Sequence, residues 1–297
     1  MHVATAQQWI SAARPRTLPA AVAPVLVGTG AGIELGGFSW LRGGLALLVS
    51  QALQVGVNYA NDYSDGIRGT DGERVGPVRL VGQHLADPAN VKLMAFAFFG
   101  FAALVGLALV ALSEAWVMIP LGALAVLAAW KYTGGANPYG YRGLGEVYVF
   151  LFFGLMATLG TLYTQAKELS WVGVAGAVGV GAIASAILVV NNLRDIPTDR
   201  ESGKLTLAVR LGDKGTRWFY ALLVLVAVVM VVVIALQHPV ALVALISLGL
   251  LWKPLQTLRS GATGRDLVPV LAATGLFEIA YAVLLAAGIV ASHALAT

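Results

Sequence analysis

The sequence contains no cysteine, which excludes disulfides, thiolate zinc sites and iron–sulfur clusters. Its four histidines are scattered and form no imidazole cluster for a metal. Charge is also scarce. Asp, Glu, Lys and Arg make up 11% of the 297 residues, against about 25% in an ordinary soluble domain, while 58% are hydrophobic. Such a chain is a membrane protein.

The charge is missing in blocks. Windows 17–33, 43–61, 93–113, 115–130, 147–166 and 169–193 hold no charged residue, and most approach the ~20 residues that a spanning helix needs. Window 218–252 is also uncharged but too long for one span, and Gln237-His238-Pro239 divides it into two helices. Window 267–292 carries only Glu278. The expectation is an all-α polytopic membrane protein, with nine transmembrane helices in a single bundle and one domain over 1–297. Of the 19 Lys and Arg residues, all but Arg42 and Lys167 fall in the N-terminal segment and the loops after spans two, four, six and eight. By the positive-inside rule the N-terminus is cytoplasmic and the C-terminus external, in a multi-pass protein of the cell membrane. The first apolar run also has the look of a signal peptide, but eight further spans favour an anchored helix. The net charge of +4 then belongs to loops facing anionic lipid headgroups or an anionic substrate, not a nucleic acid.

Polar residues inside the apolar windows carry the chemistry. In Gln51–Asp71, residues Gln51, Gln54, Asn58, Asn61, Asp62 and Asp65 fall on one helical face, forming a polar stripe that ends in carboxylates. Carboxylates at a helix C-terminus meet an unfavourable macrodipole, which a bound cation would reverse. Span six ends alike, in Asn191-Asn192-Leu193-Arg194-Asp195 and Asp199, followed by Gly203-Lys204 and Arg210. Pro197 is expected to distort that helix and leave Asp199 in the loop. Between the two motifs, residues 131–146 pack Lys131, Tyr132, Tyr139, Tyr141, Arg142 and Glu146 into a glycine-rich loop, read either as a lid or as a plain turn. Arg14 and Arg16 are read either as snorkelling to headgroups or as touching substrate. Gly203-Lys204 is no Walker site, because Thr198 and Leu205 stand where that motif needs Gly and Ser or Thr. Two carboxylate-bearing helix ends with amides and nearby cations suit Mg²⁺ holding a diphosphate, whose lipid tail stays among apolar helices.

Asn61-Asp62-Tyr63-Ser64-Asp65 with Asp71, and Arg194-Asp195-Ile196-Pro197-Thr198-Asp199 with Lys204 and Arg210, resemble the two aspartate-rich motifs of the UbiA superfamily of intramembrane prenyltransferases. Arg14-Pro15-Arg16, Gly76-Pro77-Val78-Arg79, Pro138–Glu146 and Asn191–Asp195 resemble its branch that prenylates 1,4-dihydroxy-2-naphthoate in menaquinone biosynthesis. The sequence departs from the broad pattern at Gly69, where many members have a third aspartate; Asp71 follows two residues later. The resemblance implies Mg²⁺-dependent transfer of a polyprenyl group from its diphosphate to the naphthoate, with loss of CO2. It implies Asp62, Asp65, Asp71, Asp195 and Asp199 as metal ligands and Asn58, Asn61 and Asn192 as orienting groups. Arg68, Lys131, Lys204 and Arg210 would contact diphosphate. Arg16, Arg79 or Arg142 would hold the aromatic carboxylate, and Tyr63, Tyr132 and Tyr139 would shelter a carbocation. Two readings compete: another acceptor, 4-hydroxybenzoate or haem, and a cation-coupled transporter using Glu278.

Overall fold

The computed structural model describes residues 4–69 and 78–296. Every regular element among the described residues is helical. A short helix α1 (Ala6–Ala12) and a 3-10 turn (Pro15–Thr17) lead into α2 (Pro19–Glu34), with a 47° bend between them and α2. Next come α3 (Trp40–Ile67), α4 (Pro88–Ser113), α5 (Met118–Lys131), α6 (Gly145–Ala166), α7 (Trp171–Glu201), α8 (Leu207–Ala235), α9 (Pro239–Arg259) and α10 (Gly264–Ala296). Six of these, α4 and α6 to α10, are long and apolar enough to cross a membrane, and the bent pair of α1 and α2 makes a seventh if read as one span. The helix boundaries follow the uncharged windows, and α8 gives way to α9 at Gln237-His238-Pro239 as expected.

Helix starts are written locally. Ser39 Oγ accepts from Arg42 N, Asp87 Oδ1 from Ala89 N, and Ser170 Oγ from Gly173 N at 3.0 Å, each satisfying an otherwise orphaned amide. The central element is α7. Its apolar window is 78% buried, whereas those of the other five long helices are 28–44% buried, so α7 is the axis and the others face outward. Small residues make this possible. A Cβ on Gly154 would lie 2.4 Å from the Cα of Gly181, so α6 and α7 touch backbone to backbone, where Gly154 falls within a π-helical stretch, Phe150–Met156.

Pro197 does not end α7, which stays helical to Glu201, so Asp199 is on the helix rather than in the loop. The lost amide bond falls in the last turns of a 31-residue helix, where one missing bond is tolerated. The two basic residues that broke the positive-inside pattern sit together at the opposite end of the bundle. Arg42 donates to the carbonyls of Leu112, Thr164 and Gln165, and Lys167 Nζ donates to Ser113 O at 2.7 Å. They cap the C-termini of α4 and α6, a favourable place for cations at negative dipole ends.

Candidate functional site

At the C-terminal ends of α3 and α7 the polar stripes converge on one cavity of about 1480 Å³. Its polar mouth is lined by Asn58, Asn61, Asp65, Asn191, Asn192, Arg194, Asp199 and Lys204, with Arg14, Arg16 and Arg79 from the segments that cross it. Below the mouth the lining turns apolar and reaches Ala46 on α3. From Asp65 to Ala46 is 19 residues, about 28 Å along a helix at ~1.5 Å per residue.

Most of the motif side chains at the mouth are held in place. Asn58 Nδ2 donates to Ala13 O (2.7 Å) and Thr17 Oγ1 (3.0 Å), docking the irregular segment before α2 onto α3. In that segment Arg14 adopts φ +54°, a left-handed conformation that disfavours a side chain. Asn61 Oδ1 accepts from Thr133 Oγ1 at 2.8 Å, which ties α3 to the loop after α5. Lys204 crosses between the two motifs. Gly203 turns the chain with φ +74°, Lys204 N donates to Asp199 O (2.8 Å), and Lys204 Nζ lies 3.2 Å from Asp65 Oδ1, 4.6 Å above the Tyr141 ring. Tyr141 also donates its hydroxyl to Asp65, and Thr206 Oγ1 reaches Asp199 Oδ2 at 3.4 Å. Buried carboxylates need compensating charge. Arg194 supplies it to Asp195 through two bonds of 2.7 and 2.8 Å while also donating to Asn191.

An aromatic wall lies next to the mouth. Tyr139 stacks on Tyr148 with centroids 3.8 Å apart, Tyr132 leans on Tyr139 at 5.5 Å, and Phe152 continues the column. Burial, then the neighbouring Tyr132 and Tyr148, push the Tyr139 phenol far above its ordinary range, so it stays neutral and donates to Ala128 O.

The donor chemistry fits a hard divalent ion. Asp65 and Asp199 bring carboxylate oxygens to the mouth, and Asn192, whose Nδ2 is bonded to Glu146, keeps its carbonyl oxygen available. Among the described residues no three acidic, His or Cys side chains form a self-sufficient metal cluster. Mg²⁺ needs only one or two protein carboxylates, with substrate phosphates and water completing its shell.

The UbiA prenyltransferase family matches residues 21–266. This chain belongs to that family. A relative from Mycobacterium tuberculosis, named 1,4-dihydroxy-2-naphthoate octaprenyltransferase, is 52% identical over 284 residues, covering 96% of this chain and 97% of the relative. One of the same name from Escherichia coli is 39% identical over 230 residues, 75% of each chain. Among solved structures, a UbiA homologue from Archaeoglobus fulgidus bound to DMAPP and Mg²⁺ superposes with a TM-score of 0.68, covering 96% of this chain and 99% of its own. At 14% identity that likeness establishes the fold.

In this UbiA-family chain, the cavity gathers Arg16, Asn58, Asn61, Asp65, Arg79, Tyr132, Tyr139, Asn192, Asp199 and Lys204 from the expected residues. The others stand behind or beside it. Asp62 turns away, both carboxylate oxygens accepting backbone amides, from Leu80 (2.8 Å) and Val81 (3.0 Å), so it shapes the segment that carries Arg79. Asp195 lies behind Arg194. Arg68 donates to the carbonyls of Thr133 and Gly135, stitching the loop to α3. Lys131, Arg142 and Arg210 are exposed and off the lining. Tyr63 stacks on Trp130, away from the lining. Asp71 lies outside the described residues.

Sequence reasoning left Tyr148, Asn191 and Arg194 without individual roles, read Tyr141 only as part of the lid or turn, and left Arg14 open between headgroups and substrate. For Tyr148 and Phe152 a signal existed, since aromatics four apart share a helix face. For Tyr141 nothing in the spacing distinguishes it from its neighbours.

Proposed function

We propose that this chain transfers a polyprenyl group from polyprenyl diphosphate to 1,4-dihydroxy-2-naphthoate, the acceptor in its relatives' names, releasing diphosphate and CO2 and forming demethylmenaquinol. What carries the reading is the union, in one cavity, of a mouth built for an anion and a cation with an apolar shaft, the two together running about 28 Å along α3, close to the ~30 Å thickness of the bilayer core. Lys204, the amide of Asn61 and the cations at the mouth hold the diphosphate by charge-assisted hydrogen bonds. Asp65, Asp199 and Asn192 would hold Mg²⁺, as ligands or through its waters, with Asp62 and Asp195 behind the lining adding to the acidic surroundings. The ion, when bound, supplies neutralising charge to the departing diphosphate.

The donor's carbon–oxygen bond breaks with its electron pair leaving on diphosphate. The Tyr132, Tyr139 and Tyr148 faces shield the allylic cation from water, each desolvated cation–π contact contributing about 2 kcal/mol. The naphthoate ring carbon that bears the carboxylate then forms the new bond, and CO2 departs as aromaticity returns. Arg79 and Arg16 line the cavity outside the aspartate motifs, which supports assigning that carboxylate to them, whereas Arg142 is off the lining.

The same reading has α2, α3 and α5 cross the membrane with the six long helices, nine crossings in one domain. It puts the mouth at the cytoplasmic face of the cell membrane, the N-terminus inside and the C-terminus outside, with lipid around the bundle. The basic loops gathered at that end support this orientation. A transporter is disfavoured because Glu278 is fully buried and off the cavity lining.

The test is turnover by the purified protein with polyprenyl diphosphate and either naphthoate or 4-hydroxybenzoate, followed by mass spectrometry. Prenylated, decarboxylated naphthoate formed only with a divalent ion is expected. Product from hydroxybenzoate alone, or full activity in excess chelator after metal-free purification, overturns the assignment.

A further inference from the structure

Glu146 is a buried carboxyl at the first turn of α6 with no place in the reaction described above. It does not line the main cavity, yet it is tied to α7 at two points two turns apart. Its carbonyl oxygen accepts from Ser185 Oγ at 3.2 Å, and its carboxylate Oε1 accepts from Asn192 Nδ2 at 2.8 Å. Its second oxygen, Oε2, is buried with no hydrogen-bond partner among the described residues.

A side-chain amide has a donor end and an acceptor end, and a carboxylate can only accept. Glu146 therefore determines which end of Asn192 is used inside the protein. With Nδ2 committed to Glu146, Oδ1 is the end left for the cavity that Asn192 lines. The opposite holds on α3, where Asn61 Oδ1 accepts from Thr133 Oγ1 and Nδ2 is the end left over. The two asparagines thus face the mouth with opposite polarity, one suited to a cation and the other to an anion.

We propose that Glu146 is a positioning residue that locks the Asn192 amide with its carbonyl oxygen toward the cavity, making α7 an oxygen donor to the hydrated divalent ion. Its contribution is orientation and not charge. The inference rests on reading the mouth as a Mg²⁺ and diphosphate site.

That distinction sets the experiment. Glutamine at 146 still offers Oε1 to Asn192, whereas alanine and methionine do not; methionine keeps the volume and guards against a packing defect. Mn²⁺ binding to the full chain in detergent, with inorganic pyrophosphate present, is read by electron paramagnetic resonance, so no turnover is needed. Glu146→Ala, Glu146→Met and Asn192→Ala are each expected to weaken Mn²⁺ about tenfold or more, in line with outer-shell partners of metal ligands. Glu146→Gln should stay within about threefold, and Glu146→Ala with Asn192→Ala should be no weaker than either alone, because coupled residues are not additive. Glutamine as damaging as alanine would assign the effect to charge. Additive losses, or wild-type affinity in both Glu146→Ala and Glu146→Met, would sever Glu146 from Asn192. If the wild type itself bound no Mn²⁺ with pyrophosphate, the reading of the mouth would fall and this proposal with it.

Discussion

Asp65 on α3 and Lys204 in the loop between α7 and α8 meet at 3.2 Å, and this pair shows how the mouth balances its charge. Neither is exposed, so each depends on the other and on Tyr141, which touches both. Arg79 is the other buried cation lining the mouth outside the aspartate motifs, and Asp62 holds its segment through two amides. Replacing a charged hydrogen-bond partner costs about 1.5–3 kcal/mol, roughly ten- to a hundredfold in affinity. Arg79→Ala is accordingly expected to raise the Michaelis constant for the naphthoate by that factor and to leave that for the prenyl diphosphate within about twofold. Steady-state kinetics with each substrate varied in turn decide it, and equal effects on both would refute separate anion sites.

Among the elements, the far end of the bundle depends on Arg42. Its guanidinium bridges the C-termini of α4 and α6, and Gln165 beside it accepts from Ser39 N at 2.8 Å, joining α6 to the start of α3. The deep end of the cavity, at Ala46, Leu109 and Thr164, lies among the same three helices. Arg42 is therefore a clasp that keeps the shaft closed where no substrate charge is present. Arg42→Ala should cost about 1–3 kcal/mol of stability, seen as a lower thermal midpoint in detergent, with the Michaelis constant for naphthoate unchanged. A loss of naphthoate affinity without a change in midpoint would show that the clasp had been misread.

For the whole molecule, the governing quantity is the depth of the shaft. Gly160 on α6 lines it, and a Cβ there would sit 3.5 Å from Met118 Sδ, an ordinary contact. A small side chain is thus tolerated, while a large one fills the space that a donor tail occupies. Gly160→Leu is expected to shift preference toward shorter donors, read as product masses from a mixture of prenyl diphosphates, with turnover of the shortest donor retained. An unchanged product distribution would place the tail elsewhere.

What the sequence determined by itself was everything set by period and local chemistry. Uncharged windows gave the helices, the 3.6-residue period put Asn58, Asn61 and Asp65 on one face, and the Gln237-His238-Pro239 break divided α8 from α9. It could also mark Lys204 and Asp199 as candidates, because they follow the amide- and carboxylate-bearing end of an uncharged span, as Asp65 does on the other. Tertiary structure alone decided which carboxylate faces the cavity. Asp62 and Asp65 lie three apart on one helix, yet Asp62 meets the amides of Leu80 and Val81 while Asp65 meets Lys204 and Tyr141. Spacing along a helix fixes an angle but not the neighbour found at that angle. Nor could proline chemistry alone predict that α7 would continue to Glu201, since a helix already anchored along most of its length tolerates one missing amide bond in its last turns. The clasp at Arg42 and the link from Glu146 to Asn192 join residues between 46 and 123 positions apart. Those separations are bridged only when helices pack, which no local pattern encodes.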